Sequence, residues 1–173
     1  MSNSTLVVTI ENRNYDTWAL HNMETMEPIS KDAFDPAAYK LFSMDVFTPS
    51  NDGKTIKIER SPVRSNPYIS GVLVLKNNRT YGRHPKNGKL MYKCIPDDKR
   101  IPIFIVPYEI KDLGFNKVLT NLYVTFKFVA WTDKHPSGSL VGTRGPVDVL
   151  SNYFEYQLYC KSLNASIQKF NRD

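Results

Sequence analysis

Short runs of β-branched and aromatic residues, separated by turn-forming residues, dominate the sequence from Tyr68 to Val147. Runs of this composition and length are typical of strands with a buried face. Asn87-Gly88 is the clearest turn, because both residue types tolerate the positive φ of a type I′ hairpin. We therefore predict five strands, with residues 79–84 continuing the pleat of the first: Ile69–Lys76, Lys89–Ile95, Ile101–Ile110, Asn121–Trp131 and Ser139–Val147.

Five short strands with one basic hairpin in the middle are the make-up of an oligonucleotide-binding (OB) barrel, in which the sheet closes on itself. An SH3-like barrel is the nearest alternative fold. The predicted class is mainly β, with an OB-type, cold-shock-like barrel over residues 66–148.

The two flanks of this barrel differ in pattern. Residues 1–65 are predicted to be an N-terminal strand and loop extension, with room for a partial second β module. Leu6–Glu11 and Thr55–Arg60 favour strands, and Asp35–Phe42 favours a short helix, with Asp35 as N-cap and Pro36 at the first helical position. From Val149 to Phe170 apolar residues recur at roughly helical spacing, which predicts a C-terminal helix within residues 149–173.

The net charge of +6 is concentrated in one segment. Lys76–Arg100 carries eight basic and two acidic residues, whereas the rest of the chain has 15 of each. Residues 1–50 are acidic, with three basic and seven acidic residues. A positive field confined to one segment is the electrostatic footprint of a polyanion-binding protein. A solvated charged hairpin without a ligand is the alternative interpretation.

Single-stranded nucleic acid is bound by cations along its phosphates and by aromatic faces that stack on its bases. Strand alternation places Arg79, Tyr81 and Arg83 on one face, which makes Tyr81 a candidate for stacking. Tyr92 shares a face with Leu90 and Cys94, so it is either a core residue or a second stacking ring. The predicted nucleic-acid-binding residues are Lys76, Arg79, Tyr81, Arg83, Lys86, Lys89, Tyr92 and Lys93.

Motifs for catalysis, metal binding or cofactor binding are not found in the sequence. It contains no phosphate-binding loop, no nucleophile elbow and no zinc-protease motif. Cys94 and Cys160 are isolated, which predicts reduced thiols rather than a disulfide or a zinc site. Asp97-Asp98 is the only acidic doublet and is simplest as a charged turn. We expect a chain that is not an enzyme and that uses no cofactor and no metal.

The stretch WTDKHPSGSLVGTRGPVD, which begins at Trp131 and ends at Asp148, resembles a junction in the RNase II/RNase R exoribonucleases, including the catalytic subunit of the exosome. In that family a cold-shock-type OB domain ends with a strand closing in Trp, a Pro-x-Gly turn and a glycine-containing strand. The resemblance covers residues 69–148 and is most specific from Trp131 to Gly145. It implies a module that guides single-stranded RNA toward a catalytic domain. The family's magnesium-binding aspartates lie in a later domain, so none is carried over.

Together these features predict a non-catalytic module that binds single-stranded RNA or another nucleic acid, with an exoribonuclease domain or other subunits as further partners. The alternative is a non-catalytic protein-interaction or structural subunit, in which the acidic and basic segments contact partner chains or each other. No run reaches the roughly 18 apolar residues of a membrane span, and Met1–Ile10 lacks the features of a signal peptide. An intracellular, cytoplasmic location without membrane contact is expected.

Overall fold

The computed structural model describes residues 4–30, 33–76, 79–110 and 120–147. The chain divides into two compact units. The first comprises Met1–Asn66 together with Asp98–Pro102, and the second comprises Pro67–Asp97 and Ile103–Asp173.

The elements of the first unit are β1 Leu6–Ile10, β2 Trp18–Asn22, β3 Pro28–Ile29, β4 Val46–Pro49, β5 Ile56–Arg60 and the one-turn helix α1 Pro62–Ser65. The strands form an antiparallel sheet in the order β3-β2-β1-β4-β5. Sequence patterning indicated β1 and β5 and missed β2, β3 and β4, which show neither a β-branched run nor a clean alternation of polar and apolar residues. In α1 the Ser61 hydroxyl accepts a hydrogen bond from Arg64 N as the N-cap.

The helix predicted over Asp35–Phe42 is wrong, because the chain makes only one hydrogen-bonded turn there. Asp35 accepts hydrogen bonds from Ala37 N through its side chain and from Tyr39 N through its carbonyl, as a helix start would. Lys40 then adopts a φ of +57°, a left-handed conformation that a right-handed helix cannot include.

Buried polar side chains hold the segment that follows this turn. The Tyr15 hydroxyl donates a hydrogen bond of 2.6 Å to the carbonyl of Leu41. Ser43 Oγ accepts from Ile10 N at 3.0 Å and donates to Ile10 O at 3.3 Å. These bonds satisfy backbone groups of β1 and the 41–45 segment that the sheet leaves unpaired.

Asp45 is the one charged residue that is buried among those the structure describes. Its Oδ2 accepts a hydrogen bond from Phe42 N at 2.9 Å, and its Oδ1 has no hydrogen-bond partner within the described residues. Burial raises the pKa of Asp45 to about 6, although hydrogen bonds from Ser61 and Phe42 N and the charge of Arg64 oppose the shift.

The strands of the second unit are β6 Ile69–Leu73, β7 Met91–Pro96, β8 Phe104–Pro107, β9 Leu122–Ala130 and β10 Ser137–Pro146. They form a closed barrel in the order β10-β8-β7-β6-β9, with β9 and β10 completing the ring. All pairs are antiparallel except β8 with β10, which run parallel where Ile105 faces Ser137. The predicted mainly β class and five-stranded barrel are therefore confirmed.

Two predicted strands are longer than those observed. The third was expected from Ile101, but Asp98–Pro102 belongs to the first unit, where Arg13 donates to the carbonyls of Asp98 and Ile101. The pleat expected over residues 79–84 is reduced to one isolated bridge between Arg83 and Leu90. The predicted C-terminal helix, residues 149–173, lies outside the described residues.

The barrel core is aromatic at its centre. Phe104 and Phe126 pack edge to face with ring centroids 5.0 Å apart, and both are fully buried. Backbone passes close to Phe126 on two sides, at Gly71 and at Gly138. A Cβ at Gly71 would lie 2.9 Å from the Phe126 ring, and one at Gly138 would lie 3.1 Å from it. Glycine at both positions lets the strands close around this ring.

Candidate nucleic-acid interface

The connection between β6 and β7, residues 74–90, carries most of the predicted binding residues, and we call it the basic loop. At its start, the Asn121 side-chain oxygen accepts hydrogen bonds from Leu75 N at 2.9 Å and Lys76 N at 3.0 Å. On its return, Tyr81 N donates to Met91 O and Met91 N donates to Gly82 O. The described parts of the loop are therefore attached to the barrel at both ends.

The tip of the basic loop is not the two-residue type I′ turn that was predicted. His84 N donates to Lys89 O, which closes a loop of four residues, and only Gly88 in that loop has a positive φ, at +70°. The Nδ1 atom of His84 accepts from Lys86 N and Asn87 N, and Arg83 Nη1 donates to Gly88 O. Side chains therefore help to hold the tip in place.

The predicted cations of the basic loop are exposed to solvent. Within the described ranges, none of them forms an ion pair with a carboxylate, whereas Arg100 outside the loop is paired with Asp98 at 3.0 Å. Unpaired cations retain their field for an external polyanion. The exposed residues in question are Lys76, Arg79, Arg83, Lys86 and Lys89.

Tyr81 is half-buried and belongs to a group that we call the cationic cluster, which consists of Arg79, Tyr81, Lys93, Lys134 and His135. The Arg79 guanidinium carbon lies over the Tyr81 ring, 5.3 Å from the centroid, in a cation–π contact. The His135 ring meets Tyr81 edge to face, with centroids 6.3 Å apart and an interplanar angle of 75°. His135 belongs to the loop between β9 and β10, residues 131–136. The contact therefore joins two loops that are far apart in the chain.

Lys93 extends the cluster onto the barrel wall. It is half-buried on β7, where burial alternates and places Met91, Lys93 and Ile95 on the outer face. Partial burial lowers the pKa of His135, and the charges of Lys134 and Lys93 lower it further, while a hydrogen bond with the Ile103 backbone opposes them. His135 therefore sits in a positive field shared by two lysines.

Tyr92 does not belong to this surface, and its inclusion among the binding residues is corrected. Its side chain is 1% exposed and faces the barrel interior, where its ring packs 6.3 Å from that of Tyr108. Cys94, on the same inner face, is fully buried, and burial raises the pKa of its thiol. A ring enclosed in this way has no face on which a base can stack.

Sequence reasoning missed His135 and Lys134. The only local signal was their position in the turn after Trp131, which indicates a loop but not its neighbour. Closure of the barrel brings this loop to the basic loop, and no pattern within either segment reports that proximity.

The described part of the chain holds no group of three or more His, Cys, Asp or Glu side chains placed to bind a metal ion. None of the helices in those ranges is long and apolar enough to cross a bilayer. No protein-family model matches the chain, and a search of curated proteins gives no significant match.

Proposed function

We propose that the barrel is an OB-type module that binds single-stranded RNA across the basic loop and the 131–136 loop. Numbered from one to five along the chain, its strands close in the order one-two-three-five-four, with strands three and five parallel. This is the Greek-key connectivity of the OB fold, which supports that fold over an SH3-like barrel.

The observation that carries the proposal is the contact between Tyr81 and His135. It brings together the loop after strand one and the loop after strand four, which flank the oligonucleotide-binding face in OB folds. Lys93, on the outer face of strand two, acts electrostatically on His135 of the second loop. In such a cluster the aromatic rings can stack on bases while the cations bind phosphates, and binding of single-stranded nucleic acid uses both kinds of contact.

The choice of RNA rests on the resemblance of Trp131–Gly145 to the RNase II/RNase R junction. In that interpretation the module binds and guides the RNA, and another domain cleaves the phosphodiester bonds. The described cluster fits such a role, because it consists of cations and aromatic rings without a group of converging carboxylates.

Charge reversal in the basic loop tests this function. The triple variant Arg79→Glu/Arg83→Glu/Lys89→Glu is expected to weaken binding of a labelled single-stranded RNA by about a hundredfold or more, because it replaces phosphate contacts with repulsion. The matched control is Lys54→Glu/Lys57→Glu/Arg60→Glu, which makes the same change in net charge at exposed residues of the first unit. Fluorescence anisotropy of the full chain measures both.

The same titrations are repeated at different salt concentrations and with duplex RNA. We expect affinity to fall steeply between about 50 mM and about 200 mM salt, and to be higher for the single strand. Affinity that does not respond to salt, or equal losses in the two triple variants, would contradict the proposal.

The alternative function, a protein-interaction subunit, is favoured by one observation in the first unit. The turn between β2 and β3 exposes Met23 and Met26 beside Glu24 and Glu27. Met26 is 62% exposed and has a φ of +61°, a conformation that costs a residue with a side chain about 1 kcal/mol or more. This function would be supported if light scattering shows a defined oligomer that the Met23→Gln/Met26→Gln variant disrupts, and if the chain does not bind RNA.

A further inference from the structure

His135, on the 131–136 loop, is the histidine that contacts Tyr81 in the cationic cluster. Lys93 on β7 and Lys134 on its own loop act on it electrostatically, and Tyr81 of the basic loop packs against its ring. Arg79 lies on the Tyr81 ring. The remaining charged residue of its loop, Asp133, is exposed.

These neighbours disfavour the imidazolium in the free protein. Partial burial removes water from the ring, and two ammonium groups repel a third positive charge, so both effects lower the pKa of His135 below its usual value. A bound phosphate reverses the second effect, because it neutralises the field of Lys93 and Lys134 and attracts a proton onto the ring. Uptake of that proton and binding of the anion then favour one another.

We propose that His135 is a proton-linked RNA contact, whose imidazolium joins Lys93 and Lys134 at the phosphate chain while Tyr81 holds an adjacent base. The barrel therefore binds single-stranded RNA more tightly as the pH falls below neutrality. This inference rests on the proposed RNA-binding function and adds a residue and a regulatory input to it.

The test is the pH dependence of RNA affinity at constant ionic strength. Labelled oligouridylate is the probe, because uracil has no group that titrates between about pH 5.5 and about pH 8. The unaltered chain is expected to bind about fivefold more tightly at the acid end, the gain of one partly exposed ion pair. His135→Gln is expected to lose most of this slope, and at the acid end to bind about fivefold more weakly than the unaltered chain.

The other two histidines provide matched controls. His21 lies on β2 in the first unit, and His21→Gln should change neither affinity nor slope. His84 shapes the tip of the basic loop through hydrogen bonds accepted by Nδ1, so His84→Gln should retain the slope whatever its affinity. A slope that follows His84 or His21 instead of His135 overturns the inference.

NMR titration of the His135 ring protons gives a readout that a purely structural role would not alter. Its titration midpoint should move to higher pH when oligouridylate is bound. An unchanged or lower midpoint, or binding that is independent of pH, overturns the inference and leaves the binding function standing. Failure to bind at every pH overturns the binding function itself.

Discussion

The two units of the chain are both built on five strands, yet they use their charged side chains in opposite ways. The first unit buries Asp45 and ties it to its own backbone. The described loop cations of the barrel are exposed, with the Arg83 side chain donating a hydrogen bond to Gly88 O and the Arg79 guanidinium lying over the Tyr81 ring. A buried polar group supports the chain that surrounds it, whereas an unpaired exposed cation is available to a ligand.

The same contrast separates two tyrosines of the barrel. Tyr81 lies in the basic loop and Tyr92 lies just after it, and the sequence pattern made both of them candidates for stacking on a base. The structure places Tyr92 in the core and Tyr81 at the junction of two loops. Substitution of each should therefore affect a different property, stability in one case and binding in the other.

The largest expected effect is loss of barrel stability in Tyr92→Ala. Removing a fully buried aromatic side chain leaves a cavity, so the free energy of unfolding should fall by about 4 kcal/mol. Each unit contains one tryptophan, Trp18 and Trp131, so urea unfolding followed at Trp131 in a Trp18→Phe background reports on the barrel. A barrel that remains equally stable without this ring would break the distinction between the two tyrosines.

Next in size is a pH effect confined to the first unit. The pKa of Asp45 is about 6 in the folded chain and 3.8 when unperturbed, so the folded state holds a proton that the unfolded state releases. Stability from this group is fully present below about pH 4 and is lost as the pH rises to about 6. Asp45→Asn should remove a dependence on the order of 3 kcal/mol.

Urea unfolding at Trp18 in a Trp131→Phe background measures that dependence at several pH values. Asp16→Asn, which removes an exposed carboxylate of the same unit, is the control and should not reproduce the change. An Asp45→Asn variant with the pH profile of the unaltered chain would show that the buried carboxylate does not govern the stability of this unit.

A close approach of backbone and ring gives a third, smaller effect. A Cβ at Gly71 would lie 2.8 Å from Ile95 O and 2.9 Å from the Phe126 ring, so Gly71→Ala should destabilise the barrel by about 2 kcal/mol. At Gly142 the nearest atom to such a Cβ is Thr125 Oγ1 at 3.6 Å, an ordinary contact. Gly142→Ala should therefore remain within about 0.5 kcal/mol of the unaltered chain in the same unfolding assay. Equal stabilities in the two variants would contradict this packing.

The smallest effect is expected at Tyr81, and only on binding. Tyr81→Leu should weaken RNA affinity by about 1.5 kcal/mol, because one stacking ring is lost, with no comparable change in unfolding. Anisotropy and urea unfolding of the same preparation separate the two properties. A loss of stability without a loss of affinity would place Tyr81 with Tyr92 as a structural residue.

Local patterning was enough to predict the barrel strands and the charge of the basic loop. Alternation also indicated that Tyr92 shares a face with Cys94, opposite Met91 and Lys93, although it did not say which face is inside. Burial settles that point, since Lys93 is half-buried whereas Tyr92 is fully buried in the core.

Features that depend on contacts between distant residues could not be predicted from local sequence patterns. The pairing of Tyr81 with His135 arises from closure of the barrel, and the burial of Asp45 arises from a segment that crosses next to β1. The strands that were missed in the first unit, such as Trp18–Asn22, are stabilised by their neighbours more than by their own composition.

The two glycines that flank Phe126 also constrain how related sequences can diverge. Gly71 approaches the ring from β6 and Gly138 from β10, so three positions that are distant in the chain share one volume. A larger residue at either glycine would also meet backbone that does not change with position 126, because a Cβ would lie 2.8 Å from Ile95 O at Gly71 and 2.9 Å from Lys127 O at Gly138. Glycine should therefore be retained at positions 71 and 138 in related sequences whatever residue occupies position 126, and that pair would identify divergent members of the lineage.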